Sequence, residues 1–121
     1  MTVNELLEFI DMVKPNAFSD EDKLRWLNQF EGEIQAEMFL MKEPVLYKNG
    51  DDDLKLKAPW GMLYEFYMLA MIDFYNGEYD KYSVTGQMYN EKYNAFCEWL
   101  TTHYPTLDAG VWGYLTGGES T

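Results

Sequence analysis

The run WGMLYEFYMLAMIDFY, residues 60–75, is apolar or aromatic at almost every position. Wound into a helix, it has no polar face to offer water. A helix of this kind must be covered on all sides, by its own chain or by neighbouring subunits. It is too short to span a bilayer, and it carries Glu65 and Asp73. The fold must therefore surround this segment with other elements or share it with another molecule.

The residues immediately C-terminal to this run predict a second helix beside it. Gly77 suits a left-handed C-terminal cap, a position that Asn76 also tolerates. Glu78 and Asp80 fall at the next helix start, where the macrodipole favours negative charge. From about Tyr79 to about His103, the residues Tyr82, Gly86, Tyr89, Tyr93, Phe96, Leu100 and His103 recur in steps of four and three, a long aromatic seam. At ~1.5 Å per residue that helix is roughly 37 Å long, more than a domain of this size needs internally. The stretch DFYNGEYDKY, residues 73–82, then reads as the joint of an αα-hairpin, its acids capping and its rings packing.

Two shorter helices are expected upstream. Thr2-Val3-Asn4-Glu5 forms a capping box, Val3, Leu6, Leu7, Ile10 and Val13 follow at helical spacing, and Lys14-Pro15 closes the helix. Ser19 with Asp20, Glu21 and Asp22 opens another. Leu24, Leu27, Ile34, Met38 and Met41 extend it to about residue 41, with Glu31 breaking the apolar stripe once. Residues 45–58 change character. Asn49-Gly50 is a turn signal between Val-Leu-Tyr and the alternating Leu54-Lys55-Leu56-Lys57, so a short β-hairpin or an irregular loop is expected. After Pro105 the chain is glycine-rich. A helical domain over residues 1–104 is expected, then a flexible tail over 105–121 holding one apolar island, Val-Trp-Gly-Tyr-Leu, able to dock on this subunit or another.

Composition removes several classes of function. With 21 acidic against 9 basic residues and a net charge of -12, the chain lacks the clustered cations that hold phosphates or an anionic membrane. With 121 residues, 47% of them hydrophobic, it suits one domain with a sizeable core. One cysteine, Cys97, allows no internal disulfide and fits a reducing compartment. The acidic, amphipathic start resembles no signal peptide.

Catalytic and metal constellations fail on spacing or on residue type. A di-iron bundle needs paired Glu-x-x-His motifs, and the sole histidine has no acid three residues before it. Asp51-Asp52-Asp53 lacks the ligand spacing of a calcium loop and reads as a solvated turn. Cys97 and His103 lie roughly 600° apart around a helix, on opposed faces. Glu33 and Glu37 share a helix face that reads as solvated, and nothing selects a glycosidase pair from so many acids. Neither GxxxxGK[ST] nor GxGxxG is present. No cofactor and no metal are expected. The aromatic surplus has two readings, a tyrosine-rich core or a subunit interface. Tyr and Trp serve both because they bury rigid area and keep a polar tip.

The runs LYEFYMLAMIDFYNGEYDKY and MYNEKYNAFCEWLTTHYP, with SDEDKLRWLNQFEGEIQAEMF upstream, resemble the head–tail connector proteins of tailed phages and prophages. Together these segments cover over half the chain. Lys81 stands where Arg is common in that pattern, and Ser83-Val84 where Asn is common. The resemblance implies a mainly α subunit, a small bundle built on a long αα-hairpin. It implies a non-enzymatic structural role in a homo-oligomeric ring that joins capsid to tail and lets DNA pass. The portal and a tail-side adaptor or stopper protein are the implied partners, with no sequence-specific nucleic acid and no membrane. The implied location is the virion or the bacterial host cytoplasm. On this view Trp60, Tyr67, Phe74, Tyr79, Tyr82, Tyr89, Tyr93 and Phe96 lie in the core or between subunits. Asp51, Asp52 and Asp53, with Trp112 and Tyr114 of the tail, are free to meet partner proteins. The rival reading is an acidic DNA mimic that occupies a nucleic-acid-binding partner. Its acids would have to be spaced along an exposed face, whereas here they fall largely at helix starts and turns.

Overall fold

The structure, a computed structural model, describes residues 1–117. Among the described residues five α-helices follow in the order α1 (Val3–Val13), α2 (Asp20–Glu33), α3 (Met62–Tyr75), α4 (Tyr79–His103) and α5 (Ala109–Thr116). The mainly α architecture follows the sequence pattern, and so do most helix ends. Thr2 and Glu5 form the expected capping box at α1. The Ser19 hydroxyl accepts the Asp22 N–H at 3.1 Å to open α2. Gly77, at φ 73°, takes the left-handed turn after α3 that a side chain would disfavour.

Helix α3 is the centre of the fold. It buries Leu63, Tyr64, Met68, Ala70, Ile72 and Asp73. α1 and α2 cover one side of it and α4 runs along another. The pairing of α3 with α4 is antiparallel, as the ring contacts show. Trp60 meets Phe96 at one end (5.1 Å between centroids), Tyr67 meets Tyr89 midway (5.6 Å), and Phe74 meets Tyr82 at the joint (5.3 Å). The αα-hairpin is thus present.

Three expectations need correction. The second helix does not continue regularly to residue 41. It passes at Glu33 into a single π turn, Ile34–Met38, and the chain then reverses at Leu40, whose φ is 55°. The wider turn accommodates an extra residue, which lets adjacent Ile34 and Gln35 both face inward and delivers Phe39 fully into the core.

Residues 45–58 form no β-hairpin, and no strand occurs among the described residues. The backbone of Val45 and Tyr47 is bonded by side chains of the second helix instead. Asn28 spans Tyr47, accepting its N–H at 2.8 Å and donating to its carbonyl at 2.9 Å. Gln35 spans Val45 in the same way, at 2.6 and 2.9 Å. These amides supply the donors and acceptors a partner strand would have given, so the segment is ordered without a sheet.

The region after Pro105 is not all tail. Asp108 Oδ1 accepts the Val111 N–H at 3.0 Å and caps α5. Trp112 is buried against Phe39, ring centroids 5.0 Å apart. The apolar island docks on its own subunit. The expected flexible end, residues 118–121, lies outside the described residues.

Candidate functional site

The aromatics singled out from the sequence separate into two groups along the α3–α4 hairpin. Away from the joint they pack inside the subunit. Phe96 is fully buried and Trp60 is half-buried on Phe96 and Trp99. Tyr67 sits half-buried between Phe30 and Tyr89, and its phenol is pushed up to about 12, mainly by burial and then by the nearby Glu33 carboxylate. Burial likewise raises the phenols of Tyr89 and Tyr93, which pack on each other at 5.8 Å.

Near the joint the rings are open to solvent. Tyr82 is half-buried beside Phe74, but Phe74 is 42% exposed and Tyr79 63%. Tyr75, Val84 and Met88 are exposed on the same part of the hairpin. The cause is coverage. Helix α4 runs for 25 residues yet buries only Phe96 and Leu100, because α1 and α2 pack mainly on α3, although Phe30 of α2 meets Tyr89 of α4 at 6.0 Å. The result is an apolar, ring-bearing edge at one end of the molecule.

The acids of the joint behave differently from expectation. Asp73 does not cap a helix. It is fully buried, accepts Lys14 Nζ at 2.7 and 2.9 Å through its two oxygens, and takes a third bond from the Thr85 hydroxyl at 2.9 Å. One carboxylate thereby ties α1, α3 and α4 together. Glu78 precedes α4 without a side-chain cap and pairs with Lys81 at 2.8 Å.

Of the residues expected to meet partners, Asp51, Asp53 and Tyr114 have exposed side chains, whereas Asp52 and Trp112 are engaged within the chain. Asp51 and Asp53 are exposed, but their backbone is fixed to the start of α1. Val3 N–H donates to the Asp52 carbonyl at 2.9 Å, and Asn4 N–H to the Gly50 carbonyl at 2.8 Å. Thr2 and Asp53 form an isolated bridge. Asp52 accepts the N–H groups of Asn49 and Lys48, which hold its carboxyl below the usual range. The turn is therefore pinned. Trp112 is covered within its own chain, and Tyr114 alone of the tail pair is open, at 74% exposure.

Sequence reasoning missed the most polar part of the interior. Glu31, read as a break in an apolar stripe, is 1% exposed. Its Oε1 accepts the hydroxyls of Tyr64 at 2.8 Å and Tyr47 at 3.0 Å, and its Oε2 accepts Gln35 Nε2 at 2.9 Å. Those hydroxyls in turn accept backbone N–H groups, Tyr64 from Leu56 at 3.0 Å and Tyr47 from Lys55 at 2.8 Å. Residues 45–56 are clasped onto α2 and α3 by this network. Burial raises the Glu31 carboxyl above its ordinary value, against the lowering effect of its three hydrogen bonds. Burial also raises both phenols. The signal was available in principle. Glu31 and Gln35 are four apart on the inward stripe, and a polar pair inside an apolar stripe needs partners from elsewhere in the chain.

The Glu31 network is filled by its own side chains, and among the described residues no cluster of three or more His, Cys, Asp or Glu side chains could hold a metal ion. No helix among them is long and apolar enough to cross a membrane. Comparison with protein-family models, with curated proteins and with solved structures gives no match, so the functional reading stands on residues and geometry.

Proposed function

We propose that the chain is a non-enzymatic structural subunit that assembles side by side with copies of itself into a ring of the phage head–tail connector type. In this role it sits beneath a portal, contacts a tail-side adaptor or stopper protein, and works in the virion or the bacterial host cytoplasm. The observation that carries the reading is the apolar surface left open where α3 passes into α4. A 25-residue helix with Phe74, Tyr75, Tyr79, Val84 and Met88 open around its start is more apolar edge than this subunit covers by itself. Large apolar patches of this kind mark association surfaces, and exposed aromatics are the residues most used as anchors there. The net charge of -12 supports the passage of DNA, since a negative wall does not retain phosphates.

The test is the mass of the assembly. Light scattering after size exclusion, alone and with purified portal rings, is expected to give a closed multimer, and electron microscopy a ring. A strict monomer at every concentration, with and without portal, refutes the reading.

A further inference from the structure

Helix α4 is tied to the other helices by one side-chain hydrogen bond. Among the described residues, its other side-chain bonds stay within the helix or, at Lys81, reach Glu78 immediately before it. The exception is Thr85, whose hydroxyl donates to Asp73 Oδ2 at 2.9 Å. That hydroxyl has one proton and a second acceptor in reach, the Lys81 carbonyl of its own helix at 3.2 Å. The carboxylate is the stronger acceptor because it is charged.

The tie falls where α4 is least covered, since no residue of the helix before Phe96 is buried. Val84 and Met88, two of the open residues on which association rests, stand beside Thr85 on the same stretch. Asp73 acts on the joint twice. Its carbonyl accepts the Glu78 N–H at 2.9 Å, which with the Gly77 N–H on the Phe74 carbonyl at 3.0 Å closes the turn. Its carboxylate then reaches past the turn to Thr85 and, through Lys14 Nζ, to the end of α1. Met12 and Val13, exposed just before Lys14, are thereby brought to the same end of the molecule as Phe74 and Tyr79.

We infer that Asp73 is a positioning residue for assembly: through Thr85 and Lys14 it holds the lightly covered start of α4 and the end of α1 fixed against α3, so that the apolar edge at the joint is in place before a second copy meets it. This rests on the ring reading and says how its surface is held. An apolar edge on a loosely held helix has to be ordered at the moment of binding, which weakens the contact, and an edge ordered beforehand avoids that cost.

Two substitutions at one position in the full chain separate hydrogen bonding from packing. Thr85→Val keeps the shape and loses the hydroxyl, whereas Thr85→Ser keeps the hydroxyl. In the unassembled protein at low concentration, Thr85→Val is expected to speed amide hydrogen exchange over residues 83–90 by about tenfold while α3 stays as in the wild type. Its assembly, followed by light scattering, is expected to need a roughly tenfold higher concentration, with Thr85→Ser matching the wild type in both measurements. Circular dichroism checks folding, and Thr85→Ala takes the place of the valine variant if that variant does not fold. If the wild type assembles but the variant without the hydroxyl exchanges or assembles as the wild type does, or Thr85→Ser fails along with it, the positioning role is wrong and the ring reading survives. If the wild type remains monomeric at all concentrations with and without portal rings, both fall.

Discussion

Tyr64→Phe removes one oxygen from the interior and isolates what the Glu31 network contributes. The hydroxyl donates to the buried Glu31 carboxylate at 2.8 Å, accepts the Leu56 N–H at 3.0 Å and lies 3.0 Å from the Tyr47 hydroxyl, which has Glu31 as its other acceptor. A hydrogen bond to a charged group is worth ~1.5–3 kcal/mol, and a buried N–H left without an acceptor costs ~1–3 kcal/mol. Leu56 and Tyr64 are 4% and 0% exposed, so water does not replace the lost oxygen without opening the segment. The two losses share one relaxation, and a combined destabilisation of about 3 kcal/mol is expected. In urea, with a slope of ~1–3 kcal/mol per molar for a small protein, the midpoint falls by about 1.5 M. The tryptophans at 26, 60, 99 and 112 report the transition by fluorescence. Tyr67→Phe is the control. Its ring is half-buried but its hydroxyl makes no hydrogen bond among the described residues, so its effect should stay within ~0.5 kcal/mol. A loss below about 1 kcal/mol for Tyr64→Phe would refute the sealed clasp at Tyr64 and leave residues 45–56 to the Asn28, Gln35 and Tyr47 bonds and to apolar contacts.

The same network sets a pH dependence. The Glu31 carboxyl titrates above its ordinary value of 4.5 in the folded state, so the folded protein takes up this proton first as pH falls. Its contribution to relative stability is fully present below 4.5 and is lost as pH rises through the folded value. Urea midpoints of wild type and Glu31→Leu, compared from pH 8 down to 5, should therefore shift in favour of the wild type towards the acid side. Parallel curves would show that Glu31 does not titrate in that window. Lys14→Met leaves the Asp73 carboxylate buried with Thr85 as its remaining side-chain partner. Breaking a buried pair costs ~3–5 kcal/mol, and with Lys14 24% exposed about 2 kcal/mol is expected here. Adding Asp73→Leu should recover part of the melting temperature, and a double variant no more stable than the single one would count against a desolvated charge as the cause.

Elements with local causes are legible in the amino-acid order alone. The capping box at Thr2, the Ser19 start, the glycine turn at Gly77 and the seam of α4 depend on residues within a few positions of one another, and each appears where spacing predicts it. The apolar run around α3 also makes one statement about tertiary structure, that other elements must cover it, and they do. Every feature whose partner is distant in sequence is left to the fold. Glu31 looks like an interruption until Tyr47 and Tyr64 are brought to it, and Asp73 looks like a cap until Lys14 and Thr85 arrive. The π turn, the missing hairpin and the docking of α5 have the same origin. Gln35 and Asn28 bond the backbone of residues 45–47 in place of a strand, and Phe39 receives Trp112. Periodicity records which side of a helix is apolar, but it holds no record of which distant side chain will satisfy a buried polar atom, and burial makes that match compulsory.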